Sequence, residues 1–389
     1  MSKSVAFVQR RVPHYREAFF AGLHDSLRER GIALDVLVSA QDAAGPPVAP
    51  AGPSWLSAIG GRRLALAGRE LIWQDSLRAT AAHDLVITEL SPRIVSNLAL
   101  IARARRGGPS VAGYGHGRNF AATRIPDARS ARARLVRAPD WWFAYNDLSR
   151  AVVESLGFPA ARVTTVNNTI DSKPLAEAVA AHRRAGVTEL RRSLGVEGTP
   201  VAIFCGSLTA RKRLDFVFDA ALQLRRQFSA LNLIVLGDGP CEPAVRAFAD
   251  AHAWVHHRGR VVGLERAAYL AAADVMLMPG AVGLVVVDSF AACVPLVTTD
   301  GPFHGPEIQY LSHGENGWRS PNTLEHYVEA VAAILSDEDL RTRLQRGCEA
   351  ATEHYTMEGM VTKFADGIVA ALSEPPRRRG RSARQQRGR

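Results

Sequence analysis

"VAIFCGSLTARKRLD", Val201 to Asp215, is the stretch that decides how the chain folds. Its first five residues are apolar without a break, which predicts a strand covered on both faces, as in a parallel sheet. Gly206 then permits a close backbone approach. The loop after it delivers Arg211 and Lys212 to a helix start, where two cations beside helix amides suit a diphosphate. A solvated basic helix start would read the same way, so the neighbouring segments have to decide.

Those segments repeat the pattern. Toward the C-terminus, apolar runs at 231–237, 254–259, 274–279 and 294–299 alternate with helical stretches. Toward the N-terminus, runs at 4–8, 34–38, 63–66, 83–88, 110–115, 141–146 and 162–166 do the same, with helices expected over 14–30 and 93–105. Two such series predict an α/β chain of two Rossmann-like domains with parallel sheets. The length of 389 residues suits two domains of roughly 170–200 residues each. "VNNTIDSKP", at 166–174, precedes a polar helical run over 175–192 and sets the expected boundary near residue 170. The expected division is a first domain over 1–168 and a second over 169–373, with the helices from about Leu324 to Leu372 as candidates to return to the first. The Arg-rich tail, 374–389, has no apolar residue able to anchor a core and is expected to be disordered.

Charge is unevenly distributed. Residues 1–168 carry 22 Lys and Arg against 13 Asp and Glu, residues 169–373 carry 19 against 24, and the tail carries 7 against 1. No apolar stretch reaches the roughly 20 residues that span a bilayer, and the N-terminal sequence does not read as a secretory leader. Cys205, Cys241, Cys293 and Cys348 form no CxxC pair. They are expected to be reduced thiols of a cytoplasmic protein, with no metal site. "RIPDARSARARLVRAPD", 124–140, bears Arg124, Arg129, Arg132, Arg134 and Arg137. It is either a solvated helix or a patch that adheres to an anionic membrane without inserting.

Ligands of doubly wound sheets sit at the carboxyl ends of the strands. The loops there are "VLGDGP", with Gly237 and Gly239; "HHRGRVVG", where Arg260 and Val261 could offer backbone groups to a base edge; and "PGAVGLVVVDSF", 279–290. In the last, Gly280 and Gly283 flank a turn through Val282, and Leu284 opens a helix whose free amides favour an anion. Asp288, an acceptor-only carboxylate two turns in, suits the two hydroxyls of a ribose. Electrostatic support of the helix start is the other reading. In the first domain "VAGYGHGRNF", 111–120, holds His116 between Gly115 and Gly117, with Arg118 and Asn119 beside it. Arg10 and Arg11 are either near the same edge or plain surface arginines.

Taken together, these segments resemble the GT-B glycosyltransferases of family 4 over nearly the whole chain. The matches are GSLTARK (206–212), LGDGP (236–240), RGRVVGLERAAYLAAADVMLMPG (258–280), GLVVVDSFAACVPLVTT (283–299), HGPE (304–307) and GENG (314–317). "VNNTID" (166–171) is similar to the family's interdomain signature. The resemblance implies two Rossmann-like domains with sheets facing across an interdomain cleft, with acceptor on the first and donor on the second. It implies transfer of a hexose-type sugar from a nucleotide-diphosphate donor, with retention, to a glycan, lipid-linked or secondary-metabolite acceptor, and no cofactor or metal. It further implies that Arg211 and Lys212 hold the diphosphate, Asp288 the ribose, and His116 approaches the sugar. The chain departs from the pattern at two positions. Gly280 stands where the family has its first glutamate, and Ser207 where an arginine is common. Glu307 or His304 are candidates to replace that glutamate. Three other readings stay open: a catalytically degenerate partner protein, a nucleotide-sugar epimerase of the same fold, and a nucleic-acid binder, the last disfavoured because no aromatic platforms flank the tail.

Overall fold

The computed structural model describes residues 2–39, 52–66, 69–118, 127 and 129–377. Asn119, Arg124 and the tail from residue 378 onward lie outside them. The described residues form two compact units, one from 2–118, 127–167 and 358–377, the other from 168–357.

Unit 1 holds β1 (Lys3–Gln9), β2 (Ile32–Ser39), β3 (Leu56–Ile59), β4 (Gly61–Leu66), β5 (Arg69–Gln74), β6 (Leu85–Glu89), β7 (Ser110–Gly115), β8 (Trp141–Ala144) and β9 (Val163–Thr165). Seven of these make one sheet in the order β3-β2-β1-β6-β7-β8-β9, every pair parallel. The apolar run at 63–66 behaves differently from the expectation of a sheet strand. As part of β4 it pairs antiparallel with β5 in a separate two-stranded ribbon. Its Arg62, Arg63 and Leu64 are exposed, so it lacks the two-sided burial that a parallel strand requires. The arginine-rich segment also differs from a free basic face. Its helix is short, Ala131–Val136. Arg132 Nε donates to the Gly117 carbonyl at 3.3 Å and Arg137 Nη1 to that of Leu156 at 3.0 Å, which leaves Arg129 and Arg134 exposed.

Of the helices after Leu324, only Met357–Ser373 joins unit 1. Phe364 is its anchor. The ring stacks on Phe143 at 4.6 Å and meets Phe19, Tyr114 and Phe7 at 5.1, 5.4 and 5.7 Å. Gly367 lets the helix approach the sheet, because a Cβ there would come within 2.7 Å of the Phe143 ring.

Unit 2 holds β10 (Val201–Cys205), β11 (Asn232–Leu236), β12 (Val255–His257), β13 (Val275–Leu277), β14 (Leu296–Thr299) and β15 (Gly317–Ser320). The order is β12-β11-β10-β13-β14-β15, again all parallel. Strand order reverses between β10 and β13, the point at which a doubly wound sheet opens a ligand crevice at its carboxyl edge. Every residue of β10, β11, β13 and β14 is buried, as their unbroken apolar sequences require. Among the described residues no helix is long and apolar enough to cross a membrane.

The Phe364 cluster predicts that Phe364→Ala costs roughly 3–5 kcal/mol. Urea titration of the native and substituted chains measures the difference, and a loss under 1 kcal/mol would contradict the anchoring role.

Candidate functional site

The site assembles at the carboxyl ends of β10, β13 and β14. The chain leaves β10 at Gly206, and Leu208 buries fully. Its amide donates to the Asp238 carbonyl at 2.7 Å, and its carbonyl accepts from Cys241 N at 2.9 Å. The loops after β10 and β11 are thereby zipped together. Gly237 and Gly239 serve this packing: a Cβ on Gly237 would strike the Gly206 carbonyl, and one on Gly239 would lie 2.6 Å from that of Leu208. Ser207 is exposed at the tip of the turn. Arg260, beyond β12, is exposed, and Val261 is half-buried against the core. That loop is tied in by Gly237 N donating to the Gly259 carbonyl at 2.7 Å.

The next four residues bind the β10 loop to the β13 loop. Ala281 N donates to the Arg211 carbonyl at 2.9 Å. The Lys212 ammonium donates to the Ala281 carbonyl at 2.5 Å, with Met278 Sδ 3.7 Å away. Burial pushes this ammonium down to about 8. Arg213 adopts a left-handed conformation, φ 56°, which costs a non-glycine residue roughly 1–2 kcal/mol. Its guanidinium offsets that cost by donating to the Pro279 carbonyl, Thr299 Oγ1 and Asn322 Oδ1 at 3.2, 3.0 and 2.6 Å and by lying 4.2 Å over the Phe216 ring. Arg211 is exposed and donates to the Phe303 carbonyl at 2.8 Å. The adjacent cations therefore part company, one under the loops and one at the surface.

Gly280 has a steric cause. A Cβ there would sit 2.5 Å from the Arg211 and Lys212 carbonyl oxygens. The backbone of the basic loop occupies the space a longer side chain would need. Two residues on, Val282 N donates to His304 Nδ1 at 3.2 Å, and His304 Nε2 donates to the Thr299 carbonyl at 2.8 Å. Burial holds this imidazole down at about 4, so it is neutral at pH 7. The Gly283 and Leu284 amides find no acceptor among the described residues, and a Cβ on Gly283 would meet nothing within 4 Å. They stand immediately before the buried helix Val285–Ala291. Glu307 is buried, with Oε1 accepting from Asn168 Nδ2 at 2.9 Å.

Asp288 stands on that helix, 5 % exposed. Its Oδ2 accepts from Arg266 Nη1 at 2.7 Å, while Oδ1 is buried with no hydrogen-bond partner. Burial raises the carboxyl to about 6 despite the arginine. A raised carboxyl means the folded chain takes up a proton between pH 6 and 4 that the unfolded chain, at 3.8, does not. The charged form therefore weakens the fold at neutral pH, and the loss is relieved on acidification. An unsatisfied carboxylate kept at such a cost is a candidate binding group for hydroxyl donors. Arg266, Arg213 and Asn168 stand inside quoted motifs, but their partners lie 22, 66 and 139 residues away and only the fold reveals the pairing.

In unit 1, His116 follows β7 between Gly115 and Gly117, whose φ values are 139° and 70°. Its ring meets Tyr145 edge-on at 3.9 Å. Burial, then the charges of Arg132 and Arg16, push the imidazole down to about 4, leaving it neutral. Unit 2 thus collects Gly206, Arg211, Lys212, Gly280, Val282, Gly283, Leu284 and Asp288 at one sheet edge, and His116 belongs to the other unit.

The Asp288 geometry predicts that affinity for a nucleoside diphosphate falls between pH 7 and pH 5, as the carboxylate that accepts hydroxyl protons is neutralised. Asp288→Asn should bind more weakly at pH 7 and lose that dependence. Calorimetric titration at both pH values checks this, and an unchanged pH profile in the variant would remove Asp288 from the site.

Residues 199–337 match the family model described as "Glycosyl transferases group 1". A Salmonella typhimurium protein assigned to colanic acid biosynthesis as the glycosyltransferase WcaL is 24 % identical over 254 residues, covering 62 % of this chain and 55 % of that protein. The alpha-D-kanosaminyltransferase of Streptomyces kanamyceticus is 24 % identical over 176 residues, 42 % of this chain and 44 % of the enzyme. The chain spans about half the length of these curated relatives. Among solved structures, Anabaena HepE, crystallised with UDP, superposes with a TM-score of 0.67 at 14 % identity, covering 95 % of this chain and 100 % of that one. With two all-parallel sheets, the chain has the GT-B fold, and its residues 199–337 match the group 1 glycosyltransferase model.

Proposed function

We propose that the chain is a retaining glycosyltransferase that moves a hexose-type sugar from a nucleotide-diphosphate donor to a hydroxyl of a glycan, glycolipid or secondary-metabolite acceptor. The observation that carries this reading is the pairing of the buried Lys212 ammonium with the open Gly283 and Leu284 amides, at the strand-order reversal of the sheet that the group 1 model matches. Relatives act in colanic acid and kanosaminyl chemistry, and HepE has been crystallised with UDP-glucose.

In this mechanism the donor diphosphate takes Lys212, Arg211 and the two amides as partners. As the sugar–phosphate bond breaks, charge grows on the leaving oxygen, and preorganised donors in a water-poor site stabilise it. An incoming anion also opposes the burial that pushes Lys212 down, keeping it an ammonium. Asp288 accepts the ribose hydroxyls through Oδ1. The neutral His116 imidazole can exchange a hydrogen bond with the sugar without adding charge. At the unit 2 edge Asp288 is held by Arg266 and Glu307 by Asn168, so the leaving phosphate takes the acceptor proton on the face it departs from. The chain needs no cofactor beyond the co-substrate and is expected in the cytoplasm. The exposed Arg129 and Arg134 would support contact with the inner face of the plasma membrane, tested by salt-sensitive binding to anionic vesicles; equal binding to neutral vesicles would overturn it.

A second reading, a catalytically degenerate partner protein, draws on Gly280, whose position leaves no room for a side chain. Melting curves with UDP, GDP, ADP and dTDP sugars, followed by assay of nucleotide release, separate the two. The enzyme reading expects one nucleotide class to raise Tm and to turn over. Arg211→Ala with Lys212→Ala should cut turnover by at least about 10²–10³-fold, the scale for one lost charge-stabilising donor. Binding without turnover would favour the degenerate partner, and no nucleotide binding would sink both readings.

A further inference from the structure

Unit 1 has its own reversal of strand order, between β1 and β6. A cavity of about 240 Å³ lies at the carboxyl ends of these strands, lined by Arg10, Arg11, Arg16, Glu89, Tyr114 and Tyr145. The lining holds three arginines against one glutamate, so it carries a net positive charge inside a partly aromatic wall, where fields are stronger than in open water. Gln9 also lines the cavity, and its amide nitrogen, screened from solvent, has no acceptor among the described residues. Tyr145 adds no negative charge, because burial pushes its phenol up. Tyr15 also lines the cavity and is exposed, with the Arg16 guanidinium 5.7 Å over its ring.

We infer that this cavity binds a negatively charged sugar, whose phosphate or carboxylate is held by Arg10 and Arg11 and whose carbon face lies on Tyr15. Planar guanidinium forks match both anions bidentately. The volume falls below the roughly 300–1,000 Å³ of drug-sized pockets, which suits a single sugar residue. Resting on the glycosyl-transfer reading, the bound sugar is the acceptor's reactive unit, so the acceptor is anionic at or beside the residue that is glycosylated. The binding itself does not depend on that reading.

The test is calorimetric titration of the full chain with glucose 6-phosphate, glucuronate and glucose, with UDP saturating throughout so that the anion-binding edge of unit 2 is filled. At least one charged sugar should bind about tenfold or more tighter than glucose, the scale of a charge-assisted hydrogen bond. Preference for the phosphate ester or for the uronate identifies the anion. Arg10→Gln with Arg11→Gln should erase the preference while leaving UDP affinity unchanged, which reports that the chain is folded. The inference is overturned if neither charged sugar binds at millimolar concentration, if glucose binds equally well, or if the double variant keeps the preference. Should UDP not bind, the nucleotide that raises Tm takes its place; failure of all four nucleotides would strike the functional reading alone, since the sugar titrations of the native and doubly substituted chains, with folding checked by circular dichroism, still decide the cavity.

Discussion

The arrangement in unit 2 depends on one close approach, the backbone of Arg211 and Lys212 lying against Gly280. Only a residue without a Cβ admits it. Once made, it brings the Lys212 ammonium to the Ala281 carbonyl and the Ala281 amide to the Arg211 carbonyl. These two bonds fix the path of the next residues, so that Val282 is handed to His304 and the Gly283 and Leu284 amides are left without an acceptor among the described residues. The position at which the chain departs from the pattern it resembles is thus the one on which its local geometry turns. A glutamate at 280 would force the basic loop outward and carry Lys212 with it.

How much of this was legible in the sequence follows from what each element needs. β10, β11, β13 and β14 are buried on both faces, and such strands announce themselves as unbroken apolar runs. β15, Gly317–Ser320, carries an exposed Arg319 at the sheet edge and gives no such run. β3 and β5 escape for the same reason, and the 63–66 run misled because its apolar letters belong to a ribbon. The glycines and the basic pair were readable because backbone approach and anion binding restrict residue type strongly. The Arg266–Asp288 pair was not, since the two lie 22 residues apart and only the fold brings them to 2.7 Å. The inward turn of Arg132 and Arg137 was equally hidden, because arginine on a short helix reads as solvated whichever way it points.

Two buried groups at the unit 2 edge are shifted in opposite directions by one cause. Burial penalises charge, so it raises the Asp288 carboxyl to about 6 and lowers the Lys212 ammonium to about 8. Neither is fully compensated from within the protein: Asp288 keeps an unpaired oxygen, and Lys212 has a carbonyl and a thioether in place of an anion. A ligand carrying both a diphosphate and a pair of hydroxyls would supply what each lacks.

The opposite edges of both sheets show what a satisfied carboxylate looks like. Asp84, Asp140 and Asp274 each stand immediately before a strand, and each carboxylate accepts the amide of a residue opening a neighbouring strand: Ser4 at 2.9 Å, Val111 at 3.1 Å and Val201 at 2.8 Å. Each aspartate returns its own amide to the carbonyl of that same residue, at 2.9, 2.7 and 2.8 Å. The device recurs three times, in both units, and spends its polar groups on strand register. At the carboxyl edges the accounting fails to close, with the Gly283 and Leu284 amides, Asp288 Oδ1 and the Gln9 amide nitrogen all lacking protein partners among the described residues. Buried polar groups are ordinarily paired, and the three aspartates at the amino edges meet that rule, although unpaired atoms also occur away from the carboxyl edges, at His83 Nδ1, Arg103 Nε and Trp142 Nε1. What sets the carboxyl-edge groups apart is their place, because they stand where a doubly wound sheet binds its ligands, and their presence in each unit separately is why each unit is assigned a ligand of its own.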